Sequence, residues 1–137
     1  MERPVSPKDR MMFLSIALGH VTKWRTAVDA GAHIGRWSKV LSVKFKRVIA
    51  FEPVPSNQVL WHRRLDGIDN ATLIEGAAAD YTGKCRMTGP DNWKHHYAVR
   101  DDAGDIDVTT IDSLKIKHLD FLKVDCEGGD TAVLKGA

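Results

Sequence analysis

The chain has 137 residues, enough for one domain with a core of its own and short for most two-domain enzymes. Apolar residues make up 43% and charged residues 28%, too hydrophobic a balance for a disordered chain. The net charge of +2 hides an asymmetry, with 12 Lys and Arg against 4 Asp and Glu in residues 1–64 and 8 against 14 in the remainder. The cations are spread over several segments without interleaved stacking aromatics, which speaks against nucleic acid as a partner.

In chain order, residues 1–24 read as an N-terminal helix, with Ser6 as N-cap, Pro7 at the first helical position and Met11, Leu14, Ile16, Leu18 and Val21 as a loosely amphipathic set. The apolar run "MMFLSIALGHV" is too short to span a bilayer and lacks a small-residue cleavage signal. Residues 25–80 alternate strand and helix. "RTAVDAG" is a short buried strand ending at Asp29, and "RWSKVLSVKFKR" is a helix with Trp37, Val40, Leu41 and Phe45 at helical spacing. "RVIAFEP" is a second strand, "PSNQVLWHRRLDG" a second helix and "ATLIEGAAAD" a third strand. Such alternation predicts an α/β fold with a mostly parallel, Rossmann-like sheet.

Residues 81–110 break this rhythm, with turn signals at Gly89-Pro90 and at Asp101-Asp102-Ala103-Gly104, and predict an antiparallel hairpin insertion. Residues 111–137 restore it, with "LDFLKVDCEGG" as a fourth buried parallel strand and "DTAVLKGA" as the start of a last helix. Cys85 and Cys126 stand far apart with no ligand spacing. They suggest neither a disulfide framework nor a metal site, and fit a reducing, cytoplasmic setting.

Two glycines four apart, Gly31 and Gly35, follow the first strand and open a helix. Gly31 permits a sharp turn, and Gly35 lets a ligand or the strand approach the first helical turn without a Cβ in the way. A dinucleotide fingerprint needs glycine at His33, and a phosphate loop needs a following Gly-Lys-Ser/Thr; this chain has neither. Glu52 ends the second strand 17 residues beyond Gly35, where a carboxylate can accept hydrogen bonds from both hydroxyls of a ribose. Loop and carboxylate together favour a nucleoside ligand over a plain tight turn. His33 reads as a residue of shape and backbone contact rather than a base. His95 and His96, beside Trp93 and Tyr97, either line an acceptor groove or sit on a solvated hairpin. Cys126 lies between two carboxylates, which raises its pKa and blunts it as a nucleophile.

The segments "VDAGAHIGRWS", "VIAFEPVPSN", "TTIDSL" and above all "LDFLKVDCEGGDTAVLKGA" resemble the FkbM family of methyltransferases, which use S-adenosylmethionine on a Rossmann-like sheet. The resemblance covers residues 27–137. It implies that Asp29, Gly31, Ala32, His33 and Gly35 hold the amino-acid part of the cofactor, that Glu52 with Pro53 holds the ribose, and that Gly76, Ala77 and Ala78 flank the adenine. The resemblance also implies that Asp125 falls on the acceptor side and contacts the cofactor. Asp125 or Glu127 is then either the base that takes a proton from a hydroxyl acceptor or, respectively, only a cofactor contact or a turn cap. The acceptor is expected to be a small molecule or sugar. A non-catalytic nucleoside-binding module is the rival reading, and an NAD-linked enzyme is disfavoured by the missing middle glycine.

The sequence departs from the family at Asp130, where glutamate is usual, and in its length. Family members continue past "LKGA" into strands that complete a seven-stranded sheet, so here the last strands are missing. A naturally short protein, a fragment or a subunit whose edge a partner covers all fit. The fourth strand is expected to be an exposed edge, so that the chain either forms a homo-oligomer through it or is a poorly soluble monomer.

Overall fold

A computed structural model describes residues 7–88 and 97–137. Ser6, Trp93, His95, His96 and the Tyr97 side chain lie outside the described residues, as does the Gly89-Pro90 turn. Helix α1 (Pro7–Gly19) is followed by strand β1 (Thr26–Ala30), helix α2 (Arg36–Lys44), strand β2 (Arg47–Phe51), helix α3 (Pro55–Arg64) and strand β3 (Ala71–Ile74). Then come β4 (Ala77–Ala78), β5 (Gly83–Thr88), β6 (Tyr97–Arg100), β7 (Ile106–Thr109), a 3₁₀ turn at Asp112–Leu114, β8 (Phe121–Val124) and α4 (Asp130–Lys135). Among the described residues no helix is long and apolar enough to cross a membrane.

The first sheet is four-stranded and wholly parallel, in the order β3-β2-β1-β8. Residue parity decides what covers each face, because successive side chains of a strand point to opposite sides. Ala27 and Val48 face α1 and α2, packing with Leu14, Leu18, Leu41 and Phe45. Ala50 shares that face, beneath Trp61 and Leu65 at the end of α3. Val28, Ala30, Ile49 and Phe51 point the other way, onto Ile111 and Val133. Both faces are therefore dry, and this is why the strands read as apolar runs.

Three expectations are corrected by this geometry. Among the described side chains of α1 only Leu14 and Leu18 are buried, while Met11 and Ile16 are about half exposed; Ile16 lies two residues from Leu14, roughly 200° around the helix axis at 100° per residue. Helix α2 ends at Lys44 because Phe45 turns extended at its C-cap. There Phe45 packs on Trp24, ring centroids 5.0 Å apart. The stretch 71–80 is two strands rather than one. Gly76 N–H turns back to Ile74 O at 2.9 Å, and a Cβ on Gly76 would sit 2.6 Å from Asp107 O. That close approach carries β4 out of the parallel sheet and onto β7.

The second sheet is mixed, in the order β4-β7-β5-β6. Strand β5 runs antiparallel to both β6 and β7, as the hairpin expectation had it, whereas β4 joins β7 in parallel. The turn between β6 and β7 is closed by Gly104 N–H to Asp101 O at 2.8 Å and by Ala103 N–H to the Asp101 carboxylate at 3.0 Å.

At the amino ends of the parallel strands, Arg25 clamps Asp120 across the β1–β8 seam, its backbone N–H and Nε donating to Oδ2 at 2.8 and 2.9 Å. The Arg25 side-chain hydrogen bond, more than any other influence, holds the Asp120 carboxyl well below the usual carboxylate range. A depressed folded pKa contributes stability above the unfolded value of about 4, and loses it as pH falls through the folded value. Asp120→Asn is therefore expected to lose less melting temperature than the unsubstituted protein between about pH 4 and the acid limit of folding. Equal acid slopes for the two proteins in thermal denaturation would remove the pair from that role.

Candidate functional site

The order of the parallel sheet reverses beside β1: the chain steps from β1 outward through β2 to β3, then returns to place β8 on the opposite side. The connections that leave the carboxyl ends of β1 and β8 run to opposite faces of the sheet, to Leu41 of α2 on one side and Val133 of α4 on the other, and such a divergence leaves a crevice above the strand ends. A cleft of about 450 Å³ lies there, lined by Gly31, Ala32, His33, Glu52, Asp125 and Glu127 among others. Its size is that of a small-molecule site, commonly about 300–1,000 Å³. A slightly larger and more open hollow, about 530 Å³, lies at the opposite end of the strands beside Arg25 and Asp120. It sits away from the crevice and gathers none of the loop residues.

The loop after β1 is built from left-handed residues at alternate positions, Gly31 at φ +74°, His33 at +51° and Gly35 at +77°. Gly31 and Ala32 both donate to Phe51 O, at 3.1 and 2.8 Å. Gly31 makes the sharp turn expected of it, and each glycine also has a close neighbour. A Cβ on Gly31 would lie 2.1 Å from the Asp125 carbonyl oxygen, so the chain just past β8 occupies that space. A Cβ on Gly35 would meet Trp61 and Leu65 side chains at 2.7 Å. The close neighbour there is α3, neither ligand nor strand.

Glu52 is 4% exposed and ties the second strand end to the loop. Its Oε2 accepts the His33 N–H at 2.8 Å, and its Oε1 accepts the Val54 N–H at 2.9 Å and the Asn57 side-chain amide at 3.1 Å. A carboxylate offers about four lone-pair sites, so three are engaged. The exposed His33 ring has no part in this; its backbone does.

Asp29 is fully buried on the α2 side of β1 and does not line the cleft. Its Oδ2 accepts the Ser38 hydroxyl at 2.6 Å, and Ser38 in turn accepts the Trp61 indole N–H at 2.9 Å. Across the β1–β8 pairing, Lys123 Nζ stands 3.0 Å from Asp29 Oδ1 and donates to Gly31 O at 2.6 Å. Gly35 and Gly76 also lie outside the cleft lining, whereas Pro53, Ala77 and Ala78 are part of it.

Beyond β8 the chain makes a tight turn, with Glu127 at φ +47° and Gly128 at +100°. Asp130 closes the turn, its Oδ1 accepting the Cys126 N–H at 2.7 Å. The Cys126 thiol is pushed up to about 11, chiefly by burial, with the neighbouring carboxylates Asp130 and Asp125 as lesser causes. The direction is the expected one and the leading cause is different. Asp125 and Glu127 line the cleft from this stretch.

Sequence reasoning assigned no role to several lining residues: Arg36 and Trp37 at the start of α2, Asn57 on α3, Lys123 on β8, and Met87 and Ala98, a cross-strand pair of the β5–β6 ribbon. A lone lysine in the apolar strand "FLKV" was the one available signal. Met87 and Ala98 reach the cleft only through the folding of the ribbon, which no local pattern announces.

A solved structure of phosphoethanolamine N-methyltransferase 1 from Haemonchus contortus, in complex with phosphoethanolamine and S-adenosylhomocysteine, is 24% identical, with 60% of this chain covered and a TM-score of 0.47. The chain spans 17% of that structure's chain. No curated protein matches the sequence. The model of the methyltransferase FkbM domain matches residues 29–137, which hold the glycine loop, Glu52, the mixed sheet and the Asp125 turn; the chain belongs to the FkbM methyltransferase family.

Proposed function

We propose that the cleft binds S-adenosylmethionine and that the domain transfers its methyl group to an oxygen of a small molecule or sugar. The observation that carries this reading is the buried Glu52 carboxylate at the end of β2, holding the glycine loop by the His33 N–H beside the sheet's switch point. The residues present fit such a ligand. Glu52 keeps a lone-pair site, and the Asn57 amide, on a half-buried side chain, can yield a second one to a ribose hydroxyl. Pro53, Ala77 and Ala78 add apolar surface to the lining of the same cleft. S-adenosylmethionine would supply a methyl group on a sulfonium, whose carbon an acceptor oxygen would take in line as neutral S-adenosylhomocysteine leaves. The chain's own part is to position both reactants, and Asp125 or Glu127 takes the acceptor's proton.

Titration calorimetry with S-adenosylhomocysteine, S-adenosylmethionine and NAD tests the reading. Micromolar binding of the first two with no response to NAD is the expected result. Binding of NAD alone, or of none of the three, would sink it. Release of a labelled methyl group onto hydroxyl acceptors separates a transferase from a module that only binds.

A further inference from the structure

A lysine is an unusual choice in the strand Phe121–Val124, since buried ion pairs replaced by apolar residues of similar volume commonly leave a protein as stable or more so. Lys123 is 10% exposed at its side chain and lines the cleft, while Asp29 beside it is 0% exposed. Two backbone carbonyls, Gly31 O at 2.6 Å and Ala30 O at 3.3 Å, fix the ammonium where the loop leaves β1. Asp29 Oδ1 has no hydrogen bond of its own and is buried, with this ammonium 3.0 Å away. The carboxylate's other oxygen is already served by Ser38. Oδ1 thus faces an ammonium that lines the cleft.

We propose that Asp29 is a charge-compensating positioning residue: paired with Lys123, it keeps the cleft floor neutral, so that a cationic sulfonium ligand is admitted as readily as its neutral thioether product. The proposal rests on the reading of the cleft as an S-adenosylmethionine site. An uncompensated ammonium in a partly buried site acts over several ångströms at an effective dielectric near 20, enough to change the affinity of a second cation about tenfold. It leaves a neutral thioether of the same shape nearly untouched. Both ligands carry the same amino-acid and nucleoside parts, so their ratio isolates the sulfonium charge.

The experiment measures Kd for S-adenosylmethionine and for S-adenosylhomocysteine by calorimetry near neutral pH on the full chain, with circular dichroism as the check on folding. Asp29→Asn keeps an oxygen for Ser38 and leaves Lys123 on its two carbonyls. It is expected to weaken the sulfonium ligand about tenfold relative to the thioether. Lys123→Met leaves the carboxylate uncompensated and is expected to move the ratio the opposite way. The double variant is expected to return the ratio to within about twofold of the starting protein, since both members of the pair are then neutral. If both ligands weaken by the same factor in each single variant, the pair is merely structural and the proposal falls. Should Asp29→Asn not fold, the sign of the Lys123→Met shift decides alone, and an unchanged or reversed ratio overturns the idea. An unsubstituted protein that binds neither ligand ends the cofactor reading itself and takes this proposal with it, an outcome distinct from binding with an unmoved ratio.

Discussion

Gly31→Val is expected to destabilise the protein by about 3–5 kcal/mol, whether or not any ligand is present. The left-handed conformation at φ +74° costs a residue with a Cβ about 1–2 kcal/mol, and more when that carbon is branched. The Cβ would also lie 2.1 Å from the Asp125 carbonyl oxygen, so β8 must retreat from β1 at the hydrogen bond from Asp125 N–H to Ala30 O. Forcing backbone apart in a packed interior costs typically 1–3 kcal/mol. Urea denaturation measures the sum. A folded variant within about 1 kcal/mol of the starting protein, lacking only cofactor binding, would show instead that the valine fills ligand space. Loss of stability and binding together is the outcome that the approach of β8 demands.

The same carbonyl shows why this position was half legible. A glycine after a buried strand announces a turn or a close approach, but which atom approaches depends on a strand more than ninety residues later in the sequence. Strands β1, β2 and β8 were readable because a parallel sheet covered on both faces needs unbroken apolar runs, and "TAVDA", "RVIAF" and "FLKV" meet that need nearly throughout. The break inside 71–80 was not readable, because apolar residues flank Glu75 and Gly76 on both sides. Asp107, from the far side of the ribbon, is what forces the chain across to the second sheet.

Carboxylates divide in the same way. Glu52, Asp125 and Glu127 were found because they stand at or just past the carboxyl ends of strands, where an open parallel sheet binds ligands. Asp29 was assigned to the cofactor by resemblance, yet it shares parity with Ala27, which packs under α2, and so its side chain must enter the same layer. Parity was visible in the sequence; the partner was not. Lys123 becomes that partner only through the register that sets it opposite Asp29.

Glu52→Ala is expected to remove two things that can be measured apart. The carboxylate now satisfies the His33 and Val54 N–H groups, and its burial leaves little water to replace it. A buried donor left without a partner costs about 1–3 kcal/mol, so urea denaturation should show a loss of about 2–4 kcal/mol without ligand. Hydrogen bonds from a ribose to a charged acceptor contribute about 1.5–3 kcal/mol, so S-adenosylhomocysteine affinity should fall about tenfold to 150-fold in the fraction that remains folded. Asn57→Ala separates the two effects, because it opens one lone-pair site on Oε1 while keeping both backbone donors satisfied. Its stability should change by less than about 1 kcal/mol, and its affinity should hold or rise, since the ribose no longer competes with the amide. A Glu52→Ala protein that loses stability but binds S-adenosylhomocysteine unchanged would reduce the carboxylate to a tether for the glycine loop. The nucleoside would then have to be held by the backbone of residues 31–33 and the apolar surface at Pro53, Ala77 and Ala78 alone.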